Sequence, residues 1–246
     1  MTLMLKVVAS LLTIVCAFTF VGCKASEAKQ GGYVDKSRMT NDPSIPFQQS
    51  WKKPGFDKSK YTKVYIAPVN TRYMLEHTDW QKGMKKADFE KDVAHLANFT
   101  REAVKKAFRE DPNHRMQVID AATRDPGTLN IEIALIEVVP SKVLLNALGF
   151  VPFGFGMALN AVRMVAKDTS TVAFEARVRD AATNEVVAMM ADREAQQFAI
   201  ITVRGLTWYS NAETIISQWA NQFVAVANRK PGEKVEDVGS FTLKPW

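Results

Sequence analysis

The side chains able to do acid–base or metal chemistry are scattered along this sequence. His77, His95 and His114 each lack a second His, Cys or Asp at metal-ligand spacing, so each reads as structural or solvated, and no metal or cofactor is expected. No Gly-x-Ser-x-Gly elbow, phosphate loop or zinc-protease helix motif occurs, and Gly154-Phe155-Gly156 is too short for a nucleotide site. Glu132 and Glu137 fall in one apolar run, where odd spacing assigns them to opposite faces of a strand. Asp192 and Glu194 flank Arg193 and share a face. They could form an acid/base pair, but a solvated strand face with a charge pattern is the plainer reading. Arg177, Arg179 and Arg193 fall on the outer face of one hairpin. Cross-strand pairing with Glu175, Asp192 and Glu194 explains them more simply than lipid headgroups or an acidic partner would. Arg101, Lys105 and Arg109 recur every four residues, as on a wet helix face. No catalytic residue is assigned, and the chain is expected not to be an enzyme.

One cysteine has a chemical context. Lys6 precedes an uncharged run, Val7 to Val21, which ends at Gly22-Cys23-Lys24. A basic start, a short apolar stretch and a small residue before the break describe an export signal. The stretch is shorter than the roughly twenty residues that cross a bilayer. Phe20-Val21-Gly22-Cys23 resembles the bacterial lipobox, with Phe20 where Leu is usual. The motif implies diacylglycerol on the Cys23 thiol, cleavage between Gly22 and Cys23, and anchoring through N-terminal acyl chains, each buried CH₂ contributing about 0.8 kcal/mol. Lys24, where Asp would signal inner-membrane retention, points to the outer membrane of a two-membrane envelope, with the domain facing the periplasm.

Composition fits a globular body. Of 246 residues, 47% are hydrophobic and 24% charged, enough apolar material for one domain or two small ones. The net charge of +6 favours anionic partners. Without a basic block or a recognition motif, nucleic acid is not among them. Cys16 lies in the signal, so the processed chain holds one cysteine and no internal disulfide, and its stability must come from packing.

The expected organisation is a signal peptide over 1–22, a polar tether over 23–57, and a single α+β domain over 58–246 with an apolar insert over 143–165. The tether contains Gly31-Gly32, Pro43, Pro46 and Pro54-Gly55, and Phe47 and Trp51 are placed to dock its end. Tyr61 to Val69 reads as a central strand ended by Pro68. Residues 88–110 carry apolar positions at helical spacing and stop at Asp111-Pro112. Strands follow over 116–120, 129–139, 171–180 and 186–198, with a turn at Ala181-Ala182-Thr183-Asn184. A helix spans 211–228, and Val238 to Leu243 offers a short edge strand. Together these predict a mostly antiparallel sheet with two amphipathic helices packed on one face.

From Val143 to Val162 no residue is charged. Its Gly and Pro content argues against a simple spanning helix. The alternatives are a crossover packed on the sheet, an exposed apolar patch for a partner or self-association, and a loop touching lipid. Leu144, Leu145, Leu148, Phe150, Phe153 and Phe155 are the candidate partner surface.

Tyr61 to Val69, Ile136 to Lys142 and Phe174 to Val187, with the Trp219 helix, resemble a family of bacterial lipoproteins known as domain of unknown function 3313. The resemblance covers about residues 45–230 and implies an envelope lipoprotein with no assigned reaction. Lipoprotein families of similar layout include transporter auxiliary subunits. The leading expectation is a non-enzymatic binding or accessory lipoprotein with an envelope protein partner. The alternatives are a hydrolase of lipid or cell wall and a lipid-carrying transporter auxiliary, which a deep apolar cavity would favour.

Overall fold

The computed structural model describes residues 26–27, 30–74, 84–140, 169–197 and 207–237. Gly22 and Cys23, His77, the six apolar candidates from Leu144 to Phe155 and the strand expected over Val238 to Leu243 lie outside them. Among the described residues are strands β1 (Gln49–Lys52), β2 (Lys63–Ile66), β3 (Gln117–Ile119), β4 (Thr128–Val139), β5 (Thr169–Asp180) and β6 (Val186–Gln197). The α-helices are α1 (Lys86–Arg109) and α2 (Ser210–Asn228). The β5–β6 hairpin closes through Asn184 at φ 60, a left-handed backbone that Asn tolerates.

The six strands form one sheet in the order β1-β6-β5-β4-β2-β3. Pairings β1–β6, β6–β5 and β5–β4 are antiparallel, but β2 runs parallel to both β3 and β4. The sheet is therefore mixed, which corrects the mostly antiparallel sheet expected from sequence; the α+β class stands. The cause is α1, which lies between β2 and β3. A helical crossover returns the chain to the sheet in its original direction. Alternation of side chains along a strand carries no information about direction, so the pattern alone could not reveal this.

Two layers cover the sheet. On one face Ile133, Leu135, Phe174 and Val178 pack against α1 through Leu96 and Phe108 and against α2 through Ile215, Trp219 and Phe223. On the other face the segment before β2 lies as a strap: Tyr33, Val34 and Met39 bury Ala134, Ile136, Ala173, Met189 and Ala191. The part of the expected tether from Gly31 onward thus belongs to the folded body. Phe47 is 1% exposed among the core residues, and Gln49 to Lys52 add the edge strand β1 against β6.

A β-bulge in β4 resets the side-chain faces. Leu135 pairs with Phe174, yet Glu137 pairs with Ala173, so Ile136 is the extra residue. Beyond it every side chain of β4 changes face. Glu132 and Glu137 therefore lie on the same face, the strap side, and not on opposite faces as their odd spacing predicts.

Candidate functional site

The polar groups singled out in the sequence are engaged in holding the layers together. Glu132 pairs with Arg177 and Arg179, the latter at 3.2 Å. Glu137 pairs with Arg193 at 2.8 Å and accepts from the Thr171 hydroxyl at 2.6 Å. The arginine partners are thus acids of β4, not Glu175, Asp192 and Glu194 as expected. Arg177 also covers the Tyr33 ring at 4.3 Å. Burial, and next the Glu132 charge, push the Tyr33 hydroxyl up to about 12.

Asp192 and Glu175 are the two carboxylates on which the strap depends. Asp192 is buried beneath α2, where one oxygen accepts from the Gln48 N–H at 3.0 Å and the other from Trp219 Nε1 at 2.9 Å. It is not solvated, which corrects the plainer sequence reading at Asp192. Glu175 accepts from the backbone N–H groups of Gly31, Tyr33 and Val34 at 2.9, 2.7 and 3.0 Å, with Lys36 3.6 Å away. The helical ridge is not fully wet either. Lys105 is buried and pairs with Asp120 at 2.9 Å, and Arg101 donates to the Ile66 carbonyl at 3.0 Å. His95 contacts Glu213 at 2.8 Å. Among the described residues no group of three or more His, Cys, Asp and Glu side chains could hold a metal ion, and no helix is long and apolar enough to cross a membrane.

A site of a different kind lies where the hairpin end of the sheet meets the C-terminal half of α2. A cavity of about 360 Å³ opens there, within the range of small-molecule sites. Its walls are apolar: Leu129, Ile131, Val178, Ala188 and Met190 from the sheet, with Phe223, Val226 and Ala227 from α2. Lys52, Lys58, Arg115, Arg229 and Lys230 line its rim together with Asp42 and Asp57, and Glu233 stands close enough to act on Lys58.

The rim exists because α2 needs a cap. Its last turn carries no basic residue of its own, so its exposed carbonyls at the negative helix end draw cations from elsewhere. Lys58 donates to the carbonyls of Val226 at 3.1 Å and Ala227 at 2.8 Å, and also to that of Arg229. Arg115 donates to the Ala227 carbonyl at 2.7 Å and to that of Lys58. These acceptors are neutral groups, so positive charge accumulates. Arg229 has a distant counter-ion in Asp42 at 3.9 Å. Burial first, and then repulsion from Arg115, Arg229 and Lys52, hold Lys58 down to about 8. Asp42 is kept low by the Ser44 side-chain and backbone hydrogen bonds, so it is ionised yet already engaged.

Sequence reasoning passed over Lys58 and Arg115, since nothing local marks them. They meet only through the packing of three separated segments on the end of α2.

No curated protein matches the chain. Similar solved structures include the PelC dodecamer from Paraburkholderia phytofirmans, 8% identical with a TM-score of 0.39, the match covering 74% of this chain and 96% of that one. Protein XCC0632 from Xanthomonas campestris, assigned to family model DUF330, is 11% identical with a TM-score of 0.38 over 74% of this chain and 90% of that one. The hypothetical protein CT253 from Chlamydia trachomatis is 11% identical with a TM-score of 0.36 over 67% and 94%. The model of the family described as Protein of unknown function (DUF3313) matches residues 29–223, and the chain belongs to that family.

Proposed function

We propose that this protein is an envelope lipoprotein, held to the outer membrane by acyl chains on Cys23, that binds a ligand without transforming it. The ligand is a single-chain anionic amphiphile of the fatty-acid class. The observation that carries this reading is the cavity at the end of α2, with apolar walls and cations gathered at its rim. An acyl chain gains by leaving water for such walls, at about 25 cal/mol per Å² of apolar surface buried. A carboxylate or phosphate head gains at a rim whose cations otherwise cap neutral carbonyls. A cavity near the lower end of the small-molecule range suits a ligand with a single chain.

The test is a titration with cis-parinaric acid, a fluorescent fatty acid, and with its methyl ester. Saturable binding of the acid, weaker by tenfold or more (~1.4 kcal/mol per tenfold) for the ester, is expected. Ala188→Phe, which puts a ring into the cavity, abolishes it while the thermal midpoint is kept or raised. Binding that does not saturate, or that Ala188→Phe leaves unchanged, rules the ligand site out.

A further inference from the structure

The two ends of the sheet differ in what leaves them. At one end lie the β5–β6 turn at 181–184 and the cavity, lined by Val178 and Ala188, which are partners across the sheet. At the other end β4 finishes at Val139, β5 begins at Thr169 and β6 finishes at Gln197. Arg193, with Glu137 and Ala173 beside it in register, belongs to that second end.

The N-terminal chain arrives there. Arg193 Nη1 donates to the Ser26 carbonyl at 3.1 Å and contacts its hydroxyl at 3.2 Å. Gln49 Nε2 donates to Glu27 at 2.9 Å. A few residues on, Glu175 fixes Gly31, Tyr33 and Val34. Only Lys24 and Ala25 separate Ser26 from Cys23, a leash of about 10 Å at full stretch.

A leash that short cannot hold the body away from a bilayer in which Cys23 is acylated. The opposite end carries the basic rim.

We infer that the end of the sheet at Val139, Thr169 and Gln197 is the surface turned to the bilayer. The molecule stands on its membrane with the strands upright. Ala188 lies five residues along β6 from Arg193, about 17 Å further out, so the cavity lies at the end away from the anchoring membrane. This inference rests on the acylation of Cys23 in the reading above, and not on the cavity's ligand.

The test is energy transfer to headgroup-labelled acceptors in phosphatidylethanolamine–phosphatidylglycerol vesicles carrying the full-length acylated protein. With Cys23 blocked by its acyl chain, one introduced cysteine takes the donor. Lys86→Cys reports the membrane-facing end: it is exposed at the start of α1, whose Asp92 accepts from Trp208 at 2.7 Å, just before Asn211 reaches Ser170 at 2.9 Å. Ala182→Cys in the hairpin turn and Glu110→Cys just after α1 report the other end; all are surface positions. Donor quenching several-fold stronger at 86 than at 182 and 110 is expected. Equal quenching at all three, or the reverse order, overturns the orientation. The intact mass of the same sample separates the two ideas: an unacylated Cys23 removes the anchor and the orientation together, whereas an acylated chain with equal quenching removes the orientation alone.

Discussion

Glu175 decides whether the strap stays on the sheet. A buried carboxylate can accept from three backbone N–H groups because both oxygens carry lone pairs toward them. Glu175→Gln keeps the shape but turns one acceptor into a donor facing N–H groups. Hydrogen bonds to charged groups contribute about 1.5–3 kcal/mol each, so this change is expected to cost about 2–4 kcal/mol in urea unfolding. It should also expose residues 31–45 to proteolysis; full protection would contradict the role. In the proposed ligand site, Lys58 is the residue whose charge depends on pH. With its amine held down to about 8, the free protein loses that charge as pH rises past 8, and a bound anion restores it. Affinity for the fatty acid is therefore highest below pH 8 and falls as pH rises from there, whereas Lys58→Met flattens that fall. An affinity constant from pH 7 to 9.5 would contradict a charge-reading rim. Neither residue was legible as important, since Glu175 sits in a plain alternating strand and Lys58 among breakers.

At the scale of elements, the bulge in β4 and the strap depend on each other. Ile136, the extra residue, is fully buried against Gly31, where an added Cβ would run into its side chain. Gly31→Val should therefore destabilise the fold by about 1–3 kcal/mol through overpacking and loosen Glu175's hold, read as a lower thermal midpoint. Ile136→Ala alone should cost about 2–5 kcal/mol through its cavity, and the double variant should lose less than the sum of the two single losses; full additivity would mean the contact is not the cause. The long elements β4, β5, β6, α1 and α2 were legible within a few residues because each carries a sustained period of two or near 3.6. The short strand β1 was not, since four residues between Pro46 and Pro54 hold too little pattern. The bulge was invisible because an inserted residue leaves composition intact while reversing every face beyond it. The parallel pairing of β2 followed from the intervening helix, a clue of topology and not of periodicity.

The whole molecule joins two opposed surfaces through one sheet, an end where the N-terminal leash arrives and an end that holds the basic-rimmed cavity. Sequence alone indicated the lipobox and the uncharged 143–162 stretch, both of them local signals. The cavity was illegible because residues 42–58, 108–131, 178–190 and 223–231 contribute to it jointly. Ligand occupancy is the direct measure of whether that cavity is the functional centre. Native mass spectrometry of the protein purified from envelopes in mild detergent should show a bound single-chain acid at one per chain in the wild type and none in Ala188→Phe. Bare wild-type protein, or the same adduct on both, would contradict the account.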